Sequence, residues 1–383
     1  MDLRTYPTIR EKRTAVEKNL QVNLPNIGTF SLDEQHASTK NCENMIGAIQ
    51  VPVGIAGPLT IKRATAAENF FLPLATTEGA LVASINRGCK AITASGGVTV
   101  LSKKIGITRA PIFVVKNISE GQKFITWVQE NFTAIKTLVE ATSSHLTLLE
   151  IKPWSMGKNV FLRFQFDTED AMGMNMATIA TDTVVTFIEE QTTARCIALS
   201  GNMCVDKKPN FLNFVEGRGT SISADVVLSA EIVASILKTT VPAICEVAQR
   251  KLAYGSMLSG SIGANAQIAN VLAALFLATG QDLGHIAECA MGITTVEQQD
   301  DDLYISVYVP DLVVGTVGGG TNLDTQKEAL AILGIIGGNE GKNAQKLAEI
   351  MGGAVLAGEL SLLASLAEHS LAKAHKTLGR GEK

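Results

Sequence analysis

The chain has no paired cysteines. Its six (Cys42, Cys89, Cys196, Cys204, Cys245 and Cys289) are scattered with no CxxC spacing. That argues against a disulfide framework or a zinc knuckle and fits a reduced, cytoplasmic setting. Long hydrophobic runs are missing too. The longest, Val271–Ala278, is far short of the roughly 20 residues that span a bilayer. The N-terminal MDLRTYPTIREKRTAVEKNL is charged and has no apolar centre, so it does not read as a signal peptide. A soluble protein without a membrane partner is expected. Excess positive charge is also lacking: the net charge is −4, so no global field recruits nucleic acid, and an anionic ligand must be met by local basic groups. HExxH, GxSxG, GxGxxG and GxxxxGK[ST] are absent. Metal catalysis, a serine hydrolase, a standard Rossmann site and a P-loop are therefore not expected.

What is present is a chain of 383 residues, 46% apolar and 18% charged, long enough for two domains with well-packed cores. Residues 9–20 read as a short charged helix. Residues 44–62 are Gly/Pro-rich and extended, and the small residues of 76–94 suggest a tightly packed helix with Glu78 at its start. The stretch 110–199 has its own rhythm. It reads as a strand at Ile112–Lys116, a helix behind a Ser119/Gln122 capping box, strands at His145–Ile151 and Val160–Phe166, a helix capped by Asp170, and a strand at Arg195–Leu199. The order β-α-β-β-α-β is the split βαβ, ferredoxin-like pattern. The fold class expected is α+β: a large, mainly helical domain (41–109 and 200–383) carrying this small insert (110–199), with an N-terminal helical segment (1–40). Residues 225–250 and 261–280 read as long helices, the first bent or broken at Pro242. Residues 303–309 read as a strand, and 344–376 as closing helices.

Several sites stand out, each with a bland alternative. DAMGMN (170–175) is either a capped core helix or a helix start whose free N–H groups meet a ligand. GTVGGGT (315–321) is either a turn or bare backbone against a ligand. Asp206, Lys207 and Lys208 precede Pro209; lysine pairs are usually solvated, but a stiffened loop can present a fixed cation to a developing alkoxide or a carboxylate. Asp282 could be a plain turn acid after Gly280. Glu78 stands alone as an acid at the mouth of a buried run.

Taken together, ENMIGAIQVPVGIAGPL (43–59), ATTEGALVASINRG (75–88), DAMGMNM (170–176), DKKP (206–209), GTVGGGTNL (315–323) and GELSLLASLAEHSLAKAH (358–375) resemble 3-hydroxy-3-methylglutaryl-coenzyme A (HMG-CoA) reductase. The ATTEG and DAMGMN forms look like its class I. The resemblance implies four-electron reduction of HMG-CoA to mevalonate and CoA with two NADPH, the committing step of isoprenoid synthesis. By motif, Glu78, Lys207, Asp282 and His375 fall on catalytic positions. Arg109, Ser200, Lys208, Lys251 and Asn270 fall on positions that hold the HMG moiety, with Asn86 and Arg87 near CoA. Asp170, Met174, Asn175, Gly318, Gly319 and Gly320 fall on cofactor contacts in the small domain. Glu78 is expected to be a proton donor kept protonated by burial and by nearby Asp282. The family's active site spans a dimer interface with ENMIG at the contact, and a dimer of dimers is expected. One departure stands out: Ser143-Ser144-His145 carries no arginine for a 2′-phosphate, so Lys152 or Lys158 would substitute, or NADH would be accepted. The alternatives are a CoA-thioester enzyme without hydride transfer and a catalytically dead CoA or nucleotide sensor.

Overall fold

A computed structural model describes residues 2–62 and 66–369. At the N-terminus, α1 (Ile9–Leu20) opens with a complete Thr8/Glu11 capping box, and α2 (Glu34–Lys40) is capped by Asp33. Ile9, Ala37 and Met45 form a small separate cluster there. The hairpin β1 (Val53–Lys62) and β2 (Glu68–Ala75) is followed by α3 (Leu81–Ala94) and the long β3 (Val98–Arg109).

Residues 110–199 hold β4 (Ile112–Val114), α4 (Ile118–Glu130), α5 (Phe132–Ala141), β5 (Thr147–Met156), β6 (Asn159–Asp167), α6 (Met174–Gln191) and β7 (Arg195–Ala198). Their strands lie in the order β7-β4-β6-β5, every neighbouring pair antiparallel. The alternation in VFLRFQF has the expected cause: Val160, Leu162, Phe164 and Phe166 are all fully buried on one face. Two local expectations fail. Asn117, not Ser119, caps α4 by accepting the Glu120 N–H at 3.0 Å. Asp170 does not cap α6, which starts at Gly173 in the left-handed region with no side-chain cap.

The rest of the chain continues through α7 (Phe211–Glu216), β8 (Arg218–Leu228), α8 (Ala230–Ile232) and α9 (Val241–Val247). A π-helical turn at Ala248–Gly255 leads to α10 (Ser256–Ser259), α11 (Ile268–Thr279) and α12 (Ile286–Cys289). Then come β9 (Ile293–Gln299), β10 (Asp302–Leu312), α13 (Asp324–Ile332) and α14 (Lys342–Ala367). The helix expected from 225 begins instead as strand. Thr220, Ile222, Ala224, Val226 and Leu228 are buried at every second position, because β8 is sandwiched between β3 and β10 and side chains of a strand alternate faces. Pro242 starts a helix rather than bending one: it occupies the first turn of α9, where its missing N–H has no partner to lose. The helix at 261–280 begins only at Ile268.

β3 joins the two parts. Its residues Thr99–Gly106 pair with β8, and Ile107–Arg109 pair with β6, making one ten-stranded sheet. α14 is long and apolar enough to cross a membrane by composition, but 83% of its most apolar window is buried within the fold. It is apolar all round because it is the central core helix. At its crossing with α3 there is no room even for a methyl group: a Cβ on Gly88 would lie 1.9 Å from the Ala357 carbonyl oxygen.

Candidate active site

The segment between β7 and α7 carries three non-glycine residues in the left-handed region: Asn202 (φ 65°), Val205 (φ 48°) and Lys207 (φ 60°). Such conformations cost about 1–3 kcal/mol each and persist only where surrounding structure holds them. Here it does. Gly201 N–H donates to the Ala110 carbonyl (2.7 Å), and Thr108 Oγ1 donates to the Cys204 carbonyl (2.9 Å). Asn213 Nδ2 donates to the Val205 carbonyl (3.1 Å), and Lys207 N–H donates to Glu288 Oε1 (2.9 Å). The strained loop therefore has one outcome: the Lys207 ammonium sits 2.6 Å from Asp282 Oδ2. Lys208, beside it, turns its ammonium back on the Asp206 carbonyl at 3.0 Å.

Asp282 follows α11, which ends at Gly280 (φ 72°). Its Oδ1 accepts the Gly284 N–H at 2.9 Å. Burial pushes its carboxyl up, but the Lys207 hydrogen bond, the Gly284 N–H and the charges of His285 and Lys207 outweigh that and hold it below the ordinary carboxylate range.

Beneath this pair lies a buried polar floor of which the motifs supply only Asp206. Arg218, fully buried, donates to Glu288 Oε1 (2.8 Å), Asp206 Oδ1 (3.0 Å) and Thr108 Oγ1 (2.9 Å). His285 Nδ1 lies 2.5 Å from Glu288 Oε1. Burial works against the Glu288 charge, yet the His285 hydrogen bond and the Arg218 charge hold its carboxyl down at about 2. Asp311 goes the other way: burial first, then the Glu288 charge, push it well up, so this carboxyl pair keeps one proton. Asp206, His285 and Glu288 offer ligand atoms within 4.8 Å of one another, a metal-like spacing. The Arg218 guanidinium already bonds two of the three, so the cation of this cluster is a side chain.

A cavity of about 390 Å³ opens beside Asp282, lined by residues 171–176, 280–282 and the glycine loop of 315–321. The uncapped start of α6 faces it with free N–H groups, as an anion site requires. The three glycines differ. A Cβ on Gly318 (φ 79°) or Gly319 (φ 54°) would meet nothing within 4 Å, whereas one on Gly320 would lie 2.6 Å from the Gly280 carbonyl oxygen. Gly318 and Gly319 leave backbone bare toward the cavity; Gly320 allows two loops to touch. Met174 places its sulfur 3.0 Å from Arg218 Nη2, and Asn175 is exposed at the cavity.

Asp170 does not point at this cavity. Its carboxylate accepts the N–H groups of Asn339 (2.5 Å), Gly341 (2.8 Å) and Ala344 (2.8 Å) at the start of α14. Three of its acceptor sites are used as a cap across the chain, so the role this geometry shows for its side chain is structural. Asp170→Ala removes three charge-assisted bonds and is expected to destabilise the fold by about 3–4 kcal/mol. Urea denaturation at pH 7 reads this directly.

Arg109 and Ser200 stand on the two segments that meet at the start of the Lys207 loop, where Gly201 N–H bonds the Ala110 carbonyl. Arg109 ends β3 with its Nε buried and unpartnered, and Ser200 Oγ is 3.3 Å from Cys204 Sγ in the strained loop. Other expected residues lie elsewhere. Asn86 Oδ1 accepts the Gly57 N–H (2.9 Å), and Arg87 clamps α14 through the Ser361 carbonyl (2.6 Å) and Ser365. Asn270 is exposed in the first turn of α11. Lys251, also exposed, lies near Glu359, which accepts the N–H groups of Ala266 (2.7 Å) and Gln267 (2.5 Å) at that same helix start. Glu78 corrects an expectation: it precedes α3 in an exposed turn, its N–H bonded to Thr76 Oγ1 (2.9 Å). The burial that was to keep it protonated is not supplied by its own chain. His375 lies outside the described residues.

Sequence motifs missed Arg218, His285, Glu288 and Asp311, and included Glu359 without giving it a role. The one available signal was an acid or base inside an otherwise apolar stretch, as Glu359 is within GELSLLASLA.

Residues 8–380 match the family model described as hydroxymethylglutaryl-coenzyme A reductase. The chain is 49% identical over 371 residues to 3-hydroxy-3-methylglutaryl-coenzyme A reductase of Haloferax volcanii, covering 96% of this chain and 92% of that one. It is 51% identical over 375 residues to the enzyme of the same name from Methanocaldococcus jannaschii, again covering 96% and 92%. Among solved structures, it is similar in fold to the class II enzyme from Streptococcus pneumoniae bound to NADPH in open conformations. The TM-score is 0.70 at 15% identity, covering 94% of this chain and 97% of that one.

Proposed function

The chain belongs to the hydroxymethylglutaryl-coenzyme A reductase family, NADPH-dependent oxidoreductases that reduce HMG-CoA in the mevalonate pathway, and on that premise we propose how its residues divide the work. We read it as the class I type: the archaeal relatives are about half identical, whereas the class II structure shares the fold at 15% identity. Residues 110–199 are the ferredoxin-like cofactor domain, and the observation supporting this is the antiparallel β7-β4-β6-β5 order with α5 packed beside α6.

The cavity beside Asp282 fits a dinucleotide. The free N–H groups of α6 and the bare backbone of Gly318 and Gly319 suit its phosphates, with Met174 and Asn175 at its wall. When bound there, the reduced nicotinamide supplies hydride in each of two reductive steps. The protein's part is to manage charge and protons. Negative charge that develops on the thioester oxygen is met by the Lys207 ammonium, aimed by its strained backbone and by Asp282. Arg109, Ser200 and Lys208 hold the substrate carboxylate. The thiolate that leaves needs a proton, and an imidazole suits the task; that is the role of His375. Glu78 protonates the second alkoxide. The observation that carries this reading is the Lys207–Asp282 pair at the edge of the glycine cavity.

The same geometry points to a shared site. Asn270 lies in the first turn of α11 and Asp282 just past its last, so nine helical steps, about 13 Å at 1.5 Å per residue, separate Asn270 from the end of the helix that Asp282 follows. One HMG group cannot touch both in a single chain. Lys251 and Asn270 therefore serve the pocket of a second copy, with Asn86 and Arg87 on the same side, and Glu78 gains its burial at that contact. The homodimer is the minimal unit, a dimer of dimers its natural extension. Mixing inactive Lys207→Ala and Asn270→Ala chains before assembly tests this. Random pairing restores about a quarter of wild-type activity if sites are shared across a two-fold axis, and none if each chain is self-sufficient.

NADH is the competing cofactor. Lys152, a candidate for a 2′-phosphate, is already engaged by Glu150 (3.6 Å) and Glu216 (3.3 Å). Initial rates with each cofactor decide the preference. Two cofactors oxidised per CoA released is the expected stoichiometry, and any other ratio would remove the reductase assignment.

A further inference from the structure

We propose that His285, which no motif singles out, is a positioning residue that governs how tightly Asp282 holds Lys207. The imidazole is fully buried on the single turn that follows Asp282. Its two nitrogens face the two carboxylates that hold Lys207. Nδ1 lies 2.5 Å from Glu288 Oε1, the oxygen that also accepts the Lys207 backbone N–H at 2.9 Å. Nε2 lies 3.7 Å from Asp282 Oδ2, the oxygen that binds the Lys207 ammonium at 2.6 Å. Nε2 is buried and has no hydrogen-bond partner.

The proton count follows from the partners. Arg218 holds Glu288 as a carboxylate, so the Nδ1 side must donate to it. In the neutral ring Nε2 then presents a lone pair toward a second carboxylate, an unfavourable facing. A second proton, taken from solvent and not passed on, turns Nε2 into a donor toward Asp282 Oδ2. A shift of under about 1 Å would bring it within hydrogen-bond range. His285 and Lys207 would then share one oxygen, and the ammonium would be less tightly bound and freer to meet negative charge on the substrate. Loss of that proton returns Asp282 to Lys207 alone. The charged groups facing His285 are Asp282 and Glu288 on its own segment, Asp206 and Lys207 on the strained loop, and Arg218 on β8. Asp311 on β10 reaches it only through Glu288.

The inference rests on Lys207 being the residue that meets the substrate oxygen. Two substitutions separate the two nitrogens. His285→Asn places an amide near Nδ1 and keeps the Glu288 bond; His285→Gln places one near Nε2 and keeps the Asp282 side. The expected result is a wild-type kcat that falls as pH rises from acid to neutral. His285→Asn should lose about tenfold in kcat, with little change in KM for HMG-CoA and a flat profile over that range. His285→Gln should stay closer to wild type in rate at neutral pH, also with a flat profile. A His285→Asn enzyme with the wild-type rate and profile would overturn the proposal. So would the reverse ranking, with Gln worse than Asn in both rate and thermal stability, which would make the ring a plain clamp on Glu288. A fully active Lys207→Ala control would instead remove the reading of the site beneath it; an inactive control leaves that reading standing whatever His285 does.

Discussion

Lys207→Ala should lower kcat by about 10²–10³-fold, the usual loss when one fixed donor to a developing oxyanion is removed. The structure explains why no neighbour compensates. Lys208 is bonded back on its own loop, and Arg218 is sealed beneath, spent on Glu288, Asp206 and Thr108. A cation could reach the same point only if the backbone turned as it does at Lys207, in the left-handed region. Lys207→Arg should recover little, because a planar fork does not replace a point charge 2.6 Å from one carboxylate oxygen. KM for HMG-CoA should change far less than kcat, since the charge being met exists in the transition state and not in the bound thioester. Single-turnover measurements with the first reductive step isolated would check this. Equal losses in kcat and binding would remove Lys207 from the chemical step.

The second large effect is on stability. Arg218→Met should cost about 3–5 kcal/mol, the usual consequence of removing one partner from a buried charge network. The guanidinium is fully buried, and its loss strands Glu288 and Asp206 without their main cation. The acid limb of wild-type stability carries a related signature. Glu288 is held at about 2 against an ordinary 4.5, so its contribution is complete above pH 4.5 and disappears as pH falls toward 2. Arg218→Met should flatten that slope in part, because one of the charges that depress Glu288 is gone while the His285 hydrogen bond remains. Asp311 has the opposite sign. Kept protonated by burial, it binds a proton that the unfolded chain has released, so it draws stability down as pH rises above the ordinary aspartate range. Denaturant midpoints of wild type, Arg218→Met and Asp311→Asn from acid to neutral pH would separate the two. An Arg218→Met chain as stable as wild type would show that the floor carries no net stabilisation.

Much of the small unit was legible because its strands obey a local rule. VFLRFQF alternates, and the structure buries every second residue. The end of β8, 225–228, was misread as the start of a helix for the complementary reason: DVVL is apolar enough for either state, and only pairing with β3 and β10 selects the strand. DAMGMN shows how a motif can be recognised while the role of one residue in it is misjudged. Gly173 and the bare start of α6 open to the cavity, but Asp170 reaches some 170 positions along the chain to cap α14. No local pattern encodes such a contact.

By itself the sequence determined the family and the mixed helix-and-strand composition, placed the four strands of 110–199 while missing α5, and singled out Lys207. Those are properties of residue type at short spacing, where propensity and motif act over a few positions. Tertiary structure alone decided that Arg218, His285 and Glu288 form the floor under Lys207, that Asp170 is a cap, and that Asn270 and Asp282 sit at opposite ends of one helix. Each depends on bringing distant segments within a few ångströms in a region shielded from water, and burial there makes a misplaced charge costly enough to select one arrangement.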